Sequence, residues 1–223
     1  MVSKKKLSAD GAFEVLKTRI LDGQIGPGER IREAAIAEEF SLSRTPVREA
    51  LQRLENAGLL EHLPHKGMAV KQLDHQAVTE LYLMREVLEA TAARMAARHA
   101  SDAEIAALYD LLDEQETQHK EKPDDREAAR LNKVFHVALY RGAHNRYLFD
   151  MLQTLSIDLA LLGRTTLSLK DRVVASVEEH RRILDAIAAH KPDEASEAAK
   201  AHIHAAHKAR LRVLFEDEKH EGA

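Results

Sequence analysis

The pattern of apolar and polar positions over the first 73 residues changes from a helical to a strand-like period. Apolar side chains recur every three or four positions over 10–21, and the same spacing predicts helices at about 32–40 and 43–57. Beyond them, the segments LLEHL and MAVKQL are strand-like, and the turn sequence PHKG joins them. Three helices followed by a hairpin predict a winged helix-turn-helix domain over residues 10–72.

Residues 73–218 keep the helical period throughout. The breaks EKPDD, RGAHN, TTLSLK and HKPDE divide this part into helices, and SDAE at 101–104 matches a capping box. We therefore expect a mainly α protein, in which an all-α bundle of six or seven helices follows the winged domain. A flexible basic N-terminus at 1–9 and a tail at 219–223 complete the predicted organisation. The six helices are predicted near 74–99, 101–120, 125–142, 145–162, 170–190 and 192–218.

Composition agrees with a helical protein and limits its chemistry. Aromatic residues make up only 4% of the chain and tryptophan is absent, whereas hydrophobic residues reach 44%. Cysteine is absent too, which excludes disulfides and thiolate metal sites. No apolar run approaches the roughly 20 residues of a membrane-spanning helix, so we expect a soluble, cytoplasmic protein.

Charge is unevenly distributed along the chain. Residues 1–71 contain 12 Lys+Arg and 10 Asp+Glu, a balance of +2, so the whole-chain charge of -4 leaves -6 for residues 72–223. The positive balance of the winged domain is small, but it has the sign that a polyanionic partner requires.

The predicted third helix begins with cations where the helix dipole disfavours them. Arg44 and Arg48 lie in its first turns, and a negatively charged partner such as DNA would supply the missing counter-charge. Val47, Leu51 and Leu54 fall on another face, as a helix that is buried on one side requires. The alternative is an ordinary solvated face. The residues predicted to contact DNA are Ser43, Arg44, Thr45 and Arg48 on this helix, and His65, Lys66 and Gly67 at the tip of the hairpin.

The winged region resembles a known family. The sequence ILDGQIGPGERI, continuing through SRTPVREAL and GLL, is similar over about residues 10–70 to the DNA-binding domain of the GntR family of bacterial transcription regulators. The helical remainder resembles the FadR branch, whose second domain is called FCD, and six helices would place it near the VanR subgroup. The resemblance implies operator contacts from the residues that match the family's own contacts, namely Ser43, Arg44, Thr45, Arg48, His65 and Gly67. Some relatives add an arginine where this chain has Ala34, and Arg32 is the candidate for that phosphate contact.

Several histidines of the second domain have suggestive spacings. Asn132 and His136 are four residues apart and share a helix face with apolar flanks. His180 and His202 lie about 11 residues either side of a predicted turn, so they reach the same height in an antiparallel helix pair. Two facing imidazoles suit a metal, although isolated histidines are mostly structural.

The resemblance turns this spacing into a predicted ligand set. Many FCD domains bind a metal through an Asp or Asn, a His four residues later and two further His, which correspond here to Asn132, His136, His180 and His202. Asn132 stands where Asp is commoner, and its neutral carbonyl removes one negative charge from the site. Three imidazoles favour a divalent ion such as Zn or Ni.

An inward-facing arginine is the predicted effector contact. Arg85 lies on the apolar face of its helix, where an ion pair with Glu89 or another acid is one alternative. In the family the matching arginine often holds a carboxylate ligand, which implies a small organic acid between Arg85 and the metal. Tyr140 and Arg164 are further candidates for the same effector pocket.

These features favour a ligand-responsive transcription regulator, most simply a repressor. It would bind a pseudo-palindromic operator as a homodimer and be released or retuned by a carboxylate metabolite. One alternative is a DNA-binding dimer with a purely structural helical domain. Another is a His-ligated metal enzyme, which is disfavoured because no acid is spaced to lie beside the ligands and the winged domain would have no role.

Overall fold

The structure, a computed structural model, describes residues 7–63 and 67–221 of the chain. It separates into two compact units. The first contains the described residues up to His75 together with Ser156–Gly163, and the second contains Gln76–Leu155 and the described residues from Arg164 onward. The inclusion of 156–163 in the first unit was not predicted from the sequence.

The first unit is the predicted winged helix-turn-helix. Its strands form an antiparallel sheet in the order β1-β3-β2, and Ala69 of the central strand lies opposite Arg30 on one side and Glu61 on the other. The first of these strands begins at Arg30, the last residue of the Gly- and Pro-containing segment GQIGPGER. The elements are α1 Ala9–Leu21, β1 Arg30–Ile31, α2 Glu33–Phe40, α3 Arg44–Asn56, β2 Leu60–Leu63 and β3 Gly67–Val70.

Apolar side chains from every helix of this unit form one core. The apolar face of α3 is fully buried there, and Ile157 and Leu161 of the segment 156–163 pack against the same core. Asp158 of that segment also accepts a hydrogen bond from Lys71 Nζ at 2.7 Å. The largest fully buried members of the core are Leu16, Ile20, Leu51, Leu54 and Leu59.

The second unit contains six α-helices within its described residues, which agrees with the lower of the two predicted numbers. The predicted capping box is present: Ser101 Oγ accepts from the Glu104 amide, and the Glu104 carboxylate accepts from the Ser101 amide. A short 3-10 helix at Thr166–Ser168 occupies the predicted TTLSLK break. The helices are α4 His75–His99, α5 Asp102–Glu121, α6 Asp125–Gly142, α7 Arg146–Ala160, α8 Arg172–Ala188 and α9 Pro192–Glu221.

The core of the second unit places small residues of α4 against larger ones from the other helices. Ala92, Ala93, Ala96 and Ala97 are at most 1% exposed, and short side chains let neighbouring helices approach closely. Larger side chains fill the remaining core, namely Leu108, Leu112, Phe135, Leu139, Ile183 and Leu184. Over the described ranges 7–63 and 67–221, every helix is too short or too polar to cross a membrane.

Candidate DNA-binding surface and histidine centre

Helix α3 buries one face and exposes the cations at its N-terminal end. Ser43 is the N-cap of α3, but its side chain makes no capping hydrogen bond. Pro46 lies in the first turn, where its missing N–H costs nothing. The exposed side chains at this end are Ser43, Arg44, Thr45 and Arg48, so the predicted DNA contacts of the helix share one solvent-facing surface.

One of these arginines is held by a neighbouring helix. Arg48 Nε donates to Glu33 Oε2 of α2 at 2.8 Å, with side-chain exposures of 63% and 37%. Exposed pairs of this kind contribute about 0–1 kcal/mol, so the contact orients Arg48 without preventing it from meeting a phosphate. Arg32 is exposed at the N-cap of α2 and therefore remains available for a backbone contact.

The hairpin tip is only partly described. Gly67 has φ +81, and a side chain added there would meet no atom within 4 Å. The left-handed backbone rather than crowding is therefore what favours glycine at this position. The predicted DNA contacts His65 and Lys66 lie outside the described residues.

In the second unit, three predicted ligands come together from three helices. His136 of α6, His180 of α8 and His202 of α9 are all buried, and their candidate ligand nitrogens lie within 4.8 Å of one another. His180 Nε2 and His202 Nε2 are 3.3 Å apart. His204, two residues after His202 on the same helix, is exposed. We call these three buried imidazoles the histidine centre.

A carboxylate contacts the outer nitrogen of His202. His202 Nδ1 is 2.7 Å from Glu179 Oε2, and the two guanidinium nitrogens of Arg172 donate to the two Glu179 oxygens at 3.1 and 2.8 Å. Because Nδ1 is engaged in this way, Nε2 is the His202 nitrogen left for a metal.

A second carboxylate contacts His136 in the same manner. His136 Nδ1 is 3.0 Å from Glu89 Oε2, while Arg85 donates to Glu89 Oε1 through Nε at 2.9 Å and Nη2 at 2.8 Å. Arg85 and Glu89 are both nearly inaccessible to solvent. The ion pair that the sequence offered as one alternative for Arg85 is therefore the contact present, and this arginine is not an open anion site.

Burial and these ion pairs set the charge states around the centre. Burial lowers the pKa of His180 far below its ordinary value, and burial also lowers the pKa of His202 to about 4 despite the opposing effect of Glu179. Burial alone would raise the pKa of Glu89, but the Arg85 guanidinium outweighs it and holds that pKa below its usual range. His180 and His202 are thus neutral near pH 7, as metal ligation requires.

The outer nitrogen of His180 has a different environment. Its ring stacks on Phe135 with centroids 4.3 Å apart, and Nδ1 has no hydrogen-bond partner within the part of the chain that the structure describes. Stacking rather than a carboxylate therefore fixes this third ring.

Asn132 and Tyr140 lie one helical turn either side of His136. Asn132 Oδ1 accepts from Ser176 Oγ at 3.4 Å, and Ser176 is itself one turn before His180. Asn132 is only half-buried, unlike the three histidines. Tyr140 is buried with its hydroxyl 3.4 Å from His136 Nδ1, and burial raises its pKa well above the ordinary value.

Arg164 is not brought into this group. Its guanidinium pairs with Glu216 and Asp217 of α9, and its carbonyl accepts from Arg210 Nη1 at 2.7 Å. Glu216 is 14 residues beyond His202, or about 21 Å along the helix. The structure thus places the Arg164 guanidinium beside two surface carboxylates of α9, and its role in an effector pocket stays a prediction.

Sequence reasoning missed the acids beside the centre. We expected no acid next to the predicted ligands, but Glu89 and Glu179 both contact a ligand imidazole. A signal for Glu89 was present, because it follows the inward-facing Arg85 by four residues and so shares its face. Nothing in the sequence pattern indicated that Arg172 would reach Glu179, seven residues along α8.

The donor set fits a divalent transition metal. Nitrogen ligands at about 2.05 Å in tetrahedral geometry lie roughly 3.3 Å from each other, which matches the spacing of the His180 and His202 nitrogens. Neutral, buried imidazoles with outer carboxylate contacts are typical of histidine metal sites. His136, His180 and His202 could therefore hold such an ion.

Comparisons with known proteins agree with both units. The family model described as "Bacterial regulatory proteins, gntR family" matches residues 8–70, and that described as "FCD domain" matches residues 80–205. The Bacillus subtilis (strain 168) protein "Uncharacterized HTH-type transcriptional regulator YdhC" is 34% identical over 192 residues, covering 86% of this chain and 84% of its own.

A second relative and a solved structure extend the agreement. The "Probable D-xylose utilization operon transcriptional repressor" of Paenarthrobacter nicotinovorans is 32% identical over 189 residues, covering 82% of this chain and 80% of its own. The solved structure of E. coli McbR/YncC superposes with a TM-score of 0.73 at 22% identity, over 94% of this chain and 98% of that one, and so shows the same fold. The chain therefore belongs to the GntR family of bacterial transcription regulators, in its FadR branch with an FCD domain.

Proposed function

We propose that the protein is a cytoplasmic homodimeric repressor whose operator affinity changes when a small organic acid binds at a divalent metal in the second unit. The sensing part of this proposal rests on the histidine centre, where the candidate ligand nitrogens of three buried imidazoles lie within 4.8 Å of one another. A structural role alone leaves His180 Nδ1 buried without a hydrogen-bond partner among the described residues, whereas buried polar atoms are normally partnered.

The charges around the centre favour an anionic ligand. Arg85 is offset by Glu89 and Arg172 by Glu179, so the four charges cancel in pairs. A divalent ion would add two positive charges, and the neutral amide of Asn132 offsets neither of them. When bound, such an ion supplies a Lewis-acid site to which a carboxylate can bind. The organic acid thus gains its affinity from the ion, and Arg85 contributes by fixing Glu89.

Dimerisation and repression rest on different observations. A single winged domain presents one short recognition helix, and two such helices on a two-fold axis read a pseudo-palindromic operator with far greater affinity. Occupation of a promoter is enough to repress, and the Paenarthrobacter relative is itself named a repressor. Light scattering should give twice the chain mass of 25.0 kDa.

Metal content and ligand response test the proposal together. Tag-free protein purified without chelator should contain about one late divalent ion per chain, and His180→Ala should lose it while the exposed His204→Ala keeps it. A panel of small carboxylates should include at least one that raises Tm only in metal-loaded protein. Absence of metal together with no stabilising acid would contradict the sensing function and favour a DNA-binding dimer with a structural helical domain.

Operator binding supplies the thermodynamic check. If the acid weakens operator binding by a given factor, operator DNA must weaken acid binding by the same factor. Equal acid affinity in the presence and absence of operator would contradict the coupling, even if both ligands bind.

A further inference from the structure

Two Arg–Glu–His chains of contact meet at the histidine centre from different helices. In one, Arg85 and Glu89 of α4 lead to Nδ1 of His136 on α6. In the other, Arg172 and Glu179 of α8 lead to Nδ1 of His202 on α9. The same order of groups therefore occurs twice, although the sequence spacing of arginine and glutamate differs between the two.

Each of the two glutamates is held in place by the arginine that pairs with it. Arg85 donates to a single oxygen of Glu89, and the other oxygen of that carboxylate contacts His136. Arg172 donates to both oxygens of Glu179, and one of these oxygens also contacts His202. An oriented carboxylate acceptor keeps the proton of a neutral imidazole on Nδ1 and the lone pair on Nε2.

We propose that Glu89 and Glu179 are positioning residues that fix His136 and His202 as Nε2 metal ligands, each anchored by its own buried arginine. This inference rests on the proposed metal site and extends it to residues that touch no ion. It also assigns Arg85 a different task from the effector contact that the family resemblance implied: Arg85 holds the carboxylate that orients His136.

The contrast with His180 sharpens the proposal. His180 has Phe135 on its ring face and no partner for Nδ1 among the described residues, so no carboxylate specifies its tautomer. A carboxylate therefore sets the tautomers of His136 and His202 before an ion binds, whereas His180 adjusts its tautomer when the ion binds. Outer carboxylates of this kind typically change metal affinity 10–100-fold.

Zinc affinity of the full-length chain tests the assignment. Glu89→Gln and Glu179→Gln should each raise the Kd for Zn²⁺ by 10–100-fold, measured by competition with a chromophoric chelator. The exposed neighbour Glu178→Gln is the matched control and should stay within twofold of wild type. Glu179→Asp, which keeps the charge, should recover part of the loss.

The outcomes separate this inference from the proposed function. If wild type binds no Zn²⁺, the metal site and the inference fail together. If wild type binds Zn²⁺ while the folded glutamine variants match the Glu178→Gln control, the metal site stands and the inference alone is wrong.

A second measurement covers variants that do not fold. Nitrogen-15 NMR of the metal-free wild-type chain should show His136 and His202 protonated on Nδ1 and unprotonated on Nε2. Protonation on Nε2 in either ring would overturn the proposal without any substitution.

Discussion

Arg48 on α3 and Arg85 on α4 each pair with a glutamate at 2.8 Å, yet their surroundings differ. The Arg48 side chain is 63% exposed and its partner is a surface residue, whereas the side chains of Arg85 and Glu89 are 8% and 2% exposed. Water screens the first pair, so it can exchange its glutamate for a phosphate at little cost. The second pair cannot be opened without leaving a buried charge unpaired. An Arg–Glu ion pair is thus an exchangeable contact where it is exposed, at the predicted DNA-binding surface, and a fixed contact where it is buried, in the second unit.

The largest expected effect breaks the buried pair. Arg85→Ala should lower the free energy of unfolding by about 3–5 kcal/mol, because Glu89 is left buried without its counter-charge. Denaturant unfolding of metal-free protein measures this loss. The double variant Arg85→Met with Glu89→Leu should recover most of it, since it removes both charges. A cost below about 1 kcal/mol for Arg85→Ala would show that the pair is not effectively buried.

Removing an exposed arginine should change binding rather than stability. Arg44→Ala should weaken operator affinity by about 1–3 kcal/mol and lower the slope of log K against log salt by about 1 if Arg44 contacts a phosphate. Fluorescence anisotropy over a salt series measures both. Arg182→Ala, an exposed arginine of α8, is the control. An unchanged affinity with unchanged unfolding would remove Arg44 from the DNA surface.

The buried imidazoles predict a pH effect on the metal-free protein. The pKa of His202 is about 4 in the folded chain and ordinarily 6.5, so the unfolded state binds more protons between these values. Stability that is fully present above pH 6.5 should be lost as pH falls toward 4, by roughly 1–2 kcal/mol between pH 7 and 5. The charged or titratable groups facing His202 are His136, His180, Glu89, Glu179 and Arg172.

A pair of histidine variants isolates that effect. His202→Gln should reduce the dependence of unfolding free energy on pH between 7 and 5 to the part that buried His180 contributes, whereas His204→Gln on the exposed side of the same helix should leave it unchanged. Equal pH dependence in both variants would mean that other groups cause the acid destabilisation.

The smallest expected effect tests an exposed carboxylate that is held by local geometry instead of burial. Glu104→Ala removes half of the α5 capping box and should cost about 1 kcal/mol at pH 7. The hydrogen bonds from Ser101, joined by His144, hold the pKa of Glu104 at about 2, below its ordinary 4.5. Its contribution is therefore present above pH 4.5 and lost as pH falls through 2, so the difference between wild type and variant should shrink at pH 3.

Much of the fold follows from local pattern. Helix bounds such as 125–142 agree with the structure because apolar spacing, Asp124 as N-cap and the turn after Gly142 all act within a few residues. The wing was predictable for the same reason, since a Gly-containing turn and two strand-like segments are local signals. Strand β1 was less clear because two residues carry no measurable period, and pairing with β3 is what defines it.

In the candidate site, too, some relations between residues follow from local pattern and others do not. The sequence by itself determined that His136 shares a helix face with Asn132 and that His180 and His202 reach the same height, because helical rise and periodicity fix those relations. It could not determine that Glu89 would contact His136, that Arg172 would reach Glu179, or that Arg164 would pair with Glu216 and Asp217. These contacts depend on how separate helices pack and rotate against one another, and only the tertiary structure decides that.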